Sequence, residues 1–344
     1  MLACAVCDSD AVNSTTSPSA GRRHIRDRVE PESAPTSARR FSRVSREGVE
    51  AAGGPAVLAA LEAIAGDRRV ARAEEVVREA SARLRWHEAL RRRWREARAE
   101  ASVRCAAASG GVDGVVVPVD VLREHVVAGL EEVTTGDPAL DAVAGLWRAG
   151  SRVVGWMPDL VGAGRPSAPP ARGLLAALHR DVTAPLAACG QIALEDVAAP
   201  RAPGALPREG GSIQAPQGEE LVTRVGALID MVDVPGAPAL VRAAVVHAET
   251  AVVRPFTVGS AALGRLLARH LVTRDGLEPT GTAVTDLWAA RSPASYAEAL
   301  SAYASGSLDG VVSWVQWQAE AILHGLEEAE SLCRAVQAGT WKAG

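Results

Sequence analysis

The chain has 344 residues and a formal net charge of -4 at pH 7, and 48% of its residues are hydrophobic. This length and apolar content suffice for a sizeable core in one large domain or two smaller ones. The small acidic excess argues against a nucleic-acid-binding protein, because such proteins carry a basic surface. No apolar run reaches the roughly 18 residues that a membrane-spanning helix needs. We therefore expect a protein that binds neither nucleic acid nor membrane.

Five cysteines are scattered along the chain, and their odd number and wide spacing do not form a disulfide framework. Unpaired cysteines are typical of a reducing cytoplasm, and the N-terminus lacks the charged-then-apolar pattern of a signal peptide. Cys4 and Cys7 form a Cys-x-x-Cys pair, but no second pair follows at the spacing of a zinc site. We expect a cytoplasmic protein without a metal site.

Residues 1–50 are rich in Ser, Thr, Pro and Arg and have no apolar periodicity, which predicts a disordered tail. Residues 51–165 form a predicted helical N-terminal region, with order beginning near Gly54. Its longest element is one helix over 67–108, ended by the sequence SGGVDG. The basic stretch 91–98 is interleaved with glutamates, so we interpret it as a solvated helix face and not as a nucleic-acid patch.

Helical patterns continue through the rest of the chain, and strand-like alternation is almost absent, so the predicted fold class is all-α. Residues 199–218 interrupt the helices with repeated Pro and Gly. This composition predicts a long irregular loop or a short exposed hairpin. Long loops beside a site are often functional.

The junction between two of these helices carries the residues of most interest. Pro255 has no N–H and stops the preceding helix, and it pushes Arg254 out of helical geometry. Gly259 and Ser260 open the next helix, with Ser260 as the predicted N-cap. The free N–H groups of a helix start favour anions, particularly phosphate, and Arg265 lies within reach of the same anion.

The sequence RPFTVGSAALGR, from Arg254 to Arg265, resembles the signature of the Fic/Doc (Fido) family, H-P-F-x-[DE]-G-N-G-R-x-x-R. The resemblance extends over roughly 170–340 and includes LLAALHR and GQIALEDV. It implies a Fic-like helical core at 170–340 with a short β-hairpin flap at the 199–218 loop. It also implies transfer of AMP from ATP to a protein hydroxyl.

The match to the signature is partial. Pro255, Phe256, Gly259 and Arg265 agree with it. The differing positions are Arg254 for the catalytic histidine, Val258 for the acidic Mg²⁺ ligand, Ser260 for the asparagine, Ala261 for the second glycine and Ala262 for the first arginine.

Three of these differences work against catalysis. Arginine stays protonated across the usable pH range, so Arg254 cannot take a proton from a target hydroxyl. Val258 offers no oxygen to Mg²⁺, and Ala261 adds a methyl group where close approach to phosphate favours glycine. We expect an impaired transferase that holds no Mg²⁺ but retains an anion or nucleotide site, for ATP or another nucleotide, at Arg254, Gly259, Ser260, Ala261 and Arg265.

Two nearby histidines do not replace the missing base. His247 lies two turns before Arg254 on the helix leading in, and we interpret it as a structural histidine in preference to a substitute base. His270 lies beyond Arg265 and should be out of reach.

A second family feature is an inhibitory segment, S/T-x-x-x-E-[GN], whose glutamate pairs with the last arginine of the signature. SGGVDG places Ser109 and Asp113 at that spacing, with aspartate for glutamate. The resemblance therefore implies an ion pair between Asp113 and Arg265. A plain helix-ending turn is the alternative.

Three hypotheses about function remain open. The first is a degenerate Fic-like protein that still binds a nucleotide or phosphate. The second is an active transferase with another base or phosphate donor. The third is an interaction protein, with a protein partner or a second copy of itself, in which the site is a relic and the bend simply buries Phe256 in the core.

Overall fold

The structure is a computed structural model that describes residues 46–129, 134–162, 164, 166–209 and 211–340. Most of the predicted tail, with Cys4 and Cys7, lies outside these ranges. The first helix begins at Arg46, earlier than the predicted onset near Gly54, and Pro55 lies inside it. Residues 46–50 include two glutamates, which are good helix formers. The predicted disorder of the rest of the tail stays a prediction.

The described part of the chain is all-α, as predicted, with one 3-10 turn at Leu194–Asp196. Every described helix is too short or too polar to cross a membrane. In chain order the helices are α1 (Arg46–Ala65), α2 (Arg68–Arg85), α3 (Glu88–Arg92), α4 (Trp94–Val112), α5 (Val119–Ala128), α6 (Pro138–Gly155), α7 (Ala171–Ala188), α8 (Gly218–Asp233), α9 (Ala239–Val253), α10 (Ser260–Arg274), α11 (Asp286–Arg291), α12 (Pro293–Ala304) and α13 (Leu308–Ala338).

The centre of the fold is the pair formed by α9 and α10. All residues of α9 are buried, and nearly all of α10 is buried too. The helices pack closely because Gly264 of α10 lies against α9: a Cβ there would stand 2.7 Å from the carbonyl oxygen of His247. Only a residue without a side chain fits at this crossing.

The other helices surround this pair and extend one hydrophobic core from Leu61 to Val336. Helices α6 and α7 pack on each other and on α10, while α4 packs on α6 and α11. The long helix α13 runs against α2, α9 and α12. These contacts bring the end of α4 and the middle of α7 to the junction between α9 and α10.

The single helix predicted over 67–108 is three helices, α2, α3 and α4. His87 caps α3 by accepting a hydrogen bond at Nδ1 from the Ala89 N–H, at 3.2 Å, and this starts a new helix direction. The apolar stripe continues across the break, with Val77, Leu84 and Leu90 buried. The periodic pattern therefore hid the change in direction.

The helix ends within the sequence SGGVDG, as predicted, although α4 runs on to Val112 and not only to 108. Gly110 permits a tight contact within this last turn, since a Cβ there would meet Val143 Cγ2 at 2.7 Å and the Val115 carbonyl oxygen at 2.8 Å. Asp113, which the sequence assigned to the inhibitory segment, is the C-cap residue of α4.

Substituting Gly264 tests the α9–α10 crossing. We expect Gly264→Ala to lower the free energy of unfolding by about 1 to 3 kcal/mol, because the added methyl group overlaps backbone. Gly226→Ala is the matched control, since Gly226 lies inside α8 with open space at its Cβ. The control should be neutral or stabilising by up to about 1 kcal/mol. Urea unfolding measures both, and equal effects would contradict the close crossing.

Candidate functional site

The site is built on a sharp bend between α9 and α10. Arg254 ends α9 in the left-handed region, at φ 49° and ψ 68°. Pro255 follows, so the chain leaves the helix as the sequence predicts. A left-handed arginine costs about 1 to 2 kcal/mol. The surrounding contacts must therefore hold this bend in place.

The inner side of the bend is filled by stacked rings. Phe256 is buried and stacks on His179 of α7, with ring centroids 3.8 Å apart. His179 Nδ1 accepts from the Ala198 N–H at 2.9 Å, and Nε2 donates to the Val258 carbonyl at 2.9 Å. Burial lowers the pKa of His179 to about 4, so the ring is neutral. This histidine is a structural clamp.

The segment 199–217 lies along the outer side of the bend as an irregular loop. Its backbone bonds to the bend: the Arg201 N–H donates to the Pro255 carbonyl at 2.9 Å, and the Arg208 N–H donates to the Thr257 carbonyl at 2.7 Å. The β-hairpin expected from the family is not found in the described residues of this loop. The prolines within it lack the N–H groups that a strand ladder needs.

The buried side chain of Arg201 fastens the loop to the end of α9. Its Nε donates to the Arg254 carbonyl at 2.6 Å, and its two Nη atoms donate to carbonyls of Val253, Ala205 and Pro216 at 2.6 to 3.0 Å. Burial lowers the pKa of Arg201. All its hydrogen-bond acceptors are main-chain oxygens.

Arg254 reaches in the opposite direction, from the bend into the loop. Its Nη1 donates to the Glu209 carbonyl at 3.0 Å, and Nη2 donates to the Ile213 carbonyl. Its Nε is buried without a partner among the described residues. The structure thus places this guanidinium on loop carbonyls, and the predicted role in binding an anion stays a prediction.

The start of α10 differs from the expectation in one respect. Gly259 is the N-cap, at φ 78°, and Ser260 is the first helical residue. The Ser260 hydroxyl bonds back to the backbone of Phe256 and does not cap the helix. The first N–H groups of α10 have no acceptor within the helix, so they need one from another part of the chain. Ala261, the next residue, is half-buried.

A carboxylate from the loop supplies that acceptor. Glu209 Oε1 accepts from the Ser260 N–H at 2.7 Å. Glu209 Oε2 is buried without a partner among the described residues. A helix start that the sequence predicted to favour anions therefore holds one of the protein's own acidic groups.

The environment of Glu209 opposes its ionisation. Burial, followed by the negative charge of Asp113, raises its pKa to about 7. The Ser260 N–H and the positive charges of Arg265 and Arg254 act in the opposite direction and only partly offset the burial. The group is thus poised to change charge near neutral pH.

The last residue of the signature, Arg265, is buried and held by the end of α4. Its Nε donates to Ser109 Oγ at 2.7 Å, and Nη2 donates to Asp113 Oδ2 at 2.6 Å and to the Ser109 carbonyl at 3.2 Å. The ion pair between Asp113 and Arg265 implied by the resemblance is present. Burial acts to lower the pKa of Arg265, but Asp113 raises it above its ordinary value.

Two cavities of about 10 Å³ each flank Arg265, enough for a single water molecule. The nitrogen Nη1 of Arg265 is buried without a partner among the described residues. His247 lines one of these cavities and is held through both ring nitrogens, by Gln318 at 2.8 Å and Tyr296 at 3.1 Å. Its structural role agrees with the interpretation of the sequence.

The structure places Arg254, Ser260 and Arg265 around Glu209, the first two by hydrogen bonds and the third through its charge. It adds Glu209 and Arg201, which sequence reasoning missed. Neither residue belongs to a recognisable spacing, and both act through main-chain atoms about 50 positions away along the chain.

No protein-family model matches the chain, and no curated protein matches it. Solved structures do. A Fic family protein from Desulfovibrio desulfuricans G20 superposes with a TM-score of 0.53 at 17% identity, over 68% of this chain and 66% of that one. A fragment of Fic-1 from C. elegans superposes with a TM-score of 0.53 at 19% identity, over 76% of this chain and 72% of that one, and a variant of the fragment matches equally.

These similarities establish the fold. The chain has a Fic-like helical domain, as the signature at the α9–α10 bend predicted. It spans just under two thirds of the length of the Desulfovibrio protein.

Removing the Arg201 side chain tests the loop attachment. We expect Arg201→Ala to lower the free energy of unfolding by about 2 to 4 kcal/mol, because it leaves buried carbonyl oxygens without donors. Arg208→Ala is the matched control, because that side chain is 58% exposed on the same loop. The control should cost less than about 0.5 kcal/mol. Chemical denaturation measures both, and a similar small loss in each would refute the attachment.

The pH dependence of stability tests the burial of Glu209. Its folded pKa of about 7 lies above its ordinary value of 4.5, so the folded state is favoured while the group is protonated. This contribution is complete below the ordinary value and is lost as pH rises through 7. We expect Glu209→Gln to become more stable relative to the wild type by about 2 to 3 kcal/mol across that window. The measurement is the free energy of unfolding of both proteins from acid to pH 8. If the two values change with pH in parallel, the raised pKa of Glu209 is contradicted.

Proposed function

We propose that this chain is a Fic-fold protein that does not transfer AMP and that retains, at the start of α10, a binding site for the phosphate group of a nucleotide such as ATP. The observation that carries the proposal is Arg254. This residue stands where the family has its proton acceptor, and its guanidinium donates to loop carbonyls. A group that stays protonated and is held in this way cannot accept a proton from a target hydroxyl.

The neighbouring histidines support the absence of a base. His247 is buried, and burial lowers its pKa to about 3. Both of its ring nitrogens are engaged by other side chains. Both ring nitrogens of His179 form hydrogen bonds to the backbone, Nε2 to Val258 and Nδ1 to Ala198. Neither ring has a free nitrogen to offer a substrate.

The donor set at the bend does not fit Mg²⁺. The side chain of Val258 carries no oxygen, and its carbonyl already accepts from His179. Within the described ranges no group of three His, Cys, Asp or Glu side chains is arranged to hold a metal. The proposed ligand is therefore held by helix N–H groups and arginine alone, without a bound metal.

The end of α4 supports a restraint on this site. Asp113 and Ser109 together occupy Nε and Nη2 of Arg265. An arginine paired in this way offers less to a phosphate. We therefore include Ser109 and Asp113 in the proposal as the inhibitory contact that the resemblance implied.

The cellular setting and the partners belong to the same proposal. Cys105 and Cys333 are buried free thiols and Cys189 is an exposed one, which supports a reducing cytoplasm. A nucleotide is the proposed ligand. A protein partner or a second copy of the chain stays a prediction.

Labelled ATP tests the first half of the proposal. The full chain is incubated with ATP labelled at the α-phosphate and with a protein extract, with and without Mg²⁺. We expect no labelled protein, whereas a Fic enzyme with an intact signature labels its targets in parallel. Labelling by the wild type that vanishes in Glu209→Gln would make Glu209 the base of an active transferase and would end the proposal.

Calorimetry with AMP, ADP and ATP tests the second half. The matched pair of variants is Ala261→Asp and Ala261→Asn, at the second position of α10. Aspartate suits a helix start but repels phosphate, while asparagine has the same shape without charge. We expect nucleotide binding at millimolar or lower concentration to survive in Ala261→Asn and to disappear in Ala261→Asp. Equal nucleotide binding by the two variants would show that the nucleotide does not bind at the start of α10.

A further inference from the structure

The loop residue Glu209 lies where an external anion would bind. Its carboxylate is 2.7 Å from the first N–H of α10, at Ser260. Ser260 is fully buried, so its N–H cannot bind bulk water in place of the carboxylate. An anionic ligand and the Glu209 carboxylate would compete for the same donor.

The surroundings of this carboxylate contain more hydrogen-bonding capacity than it uses. Arg254 Nε and Arg265 Nη1 are buried and have no partner among the described residues. Both arginines are more than nine-tenths buried, and both act on Glu209 through their charge. A phosphate group has more oxygens than a carboxylate, and it could use donors that Glu209 leaves idle.

The charged groups that face Glu209 come from three elements. Arg254 belongs to the bend, Arg265 to α10 and Asp113 to the end of α4. The two cations attract any anion at this position, while Asp113 repels it. Burial, with Asp113, raises the pKa of Glu209 to about 7, so its negative charge is only marginally stable there.

The main chain of Glu209 is held on the bend, whereas its side chain is held by a single hydrogen bond, from the Ser260 N–H. The N–H of Arg208 is bonded to Thr257, and the carbonyl of Glu209 is bonded to Arg254. The carboxylate can therefore leave the helix start by rotation of its own side chain, without detachment of the loop from the bend.

We propose that Glu209 is a built-in competitor of the phosphate site, so that a phosphate-bearing ligand binds at Ser260 only when this carboxylate rotates away. The proposal rests on the proposed function, since it concerns the same site. It assigns the strength of ligand binding to a single acidic side chain of the loop. Binding is weak while the carboxylate is ionised and in place, and it strengthens when the charge is removed.

Titration of the full chain with inorganic phosphate at about pH 8 tests this competition, using the wild type and two variants of Glu209. We expect Glu209→Ala to bind phosphate at least about tenfold more tightly, because two like charges at one site are strongly disfavoured. Glu209→Gln keeps the hydrogen-bonding shape without the charge and should be intermediate. Glu195→Ala is the matched control, an exposed glutamate of the preceding 3-10 turn, and should behave as the wild type.

A second titration uses inorganic sulfate, whose own charge does not change near neutral pH. Wild-type affinity should rise several-fold from about pH 8 to about pH 6 as Glu209 is neutralised. The affinity of Glu209→Gln should stay constant over the same range. Gln retains the contact to the Ser260 N–H, so this variant keeps the test available if the alanine variant is unstable.

The outcomes separate the two proposals. Binding by Glu209→Ala and Glu209→Gln that exceeds wild-type binding supports both. Equal, measurable binding by all proteins overturns the competitor role of Glu209 and leaves the phosphate site standing. No binding of phosphate, sulfate or ADP by any variant at millimolar concentration overturns both.

Discussion

The structure depends on a sharp bend that connects two buried helices packed against each other. Helices α9 and α10 pack so closely that Gly264 has no room for a side chain. The connection between them is therefore short, strained at Arg254 and closed by Pro255. The Arg201 side chain, the loop backbone and His179 all form hydrogen bonds to main-chain groups of the bend. The stacked rings of His179 and Phe256 fill its inner side, and the loop covers its outer side.

The same constraint produces the chemistry of the site. A helix that starts directly after a bend presents free N–H groups to whatever covers the bend. In this chain the covering loop carries the carboxylate of Glu209, and the charges of Arg254 and Arg265 act on it. The arginines are each engaged elsewhere, one by the loop and one by α4. The carboxylate of Glu209 therefore lies between a helix start and two arginines, which is the arrangement that the proposed phosphate site depends on.

The sequence predicted those parts of the molecule that depend on residue type and spacing. Pro255 and Gly259 mark the bend, and the pairing of Asp113 with Arg265 followed from the family resemblance across about 150 positions. The breaks beside His87 and Arg93 were hidden because apolar residues keep a helical spacing through them. Glu209 and Arg201 were hidden because they bind main-chain atoms. Every residue supplies such atoms, so no pattern of side chains records the contact.

The cross-bracing of the loop has a consequence for how this protein tolerates change. Arg201 reaches from the loop to the bend and Arg254 from the bend to the loop, and both grip carbonyl oxygens. Since peptide oxygens are indifferent to the residue that bears them, most positions between 202 and 217 are open to replacement as long as the path of the chain is kept. Relatives of this protein should keep arginine at the positions of Arg201 and Arg254 and, apart from Glu209, vary more freely between 202 and 217.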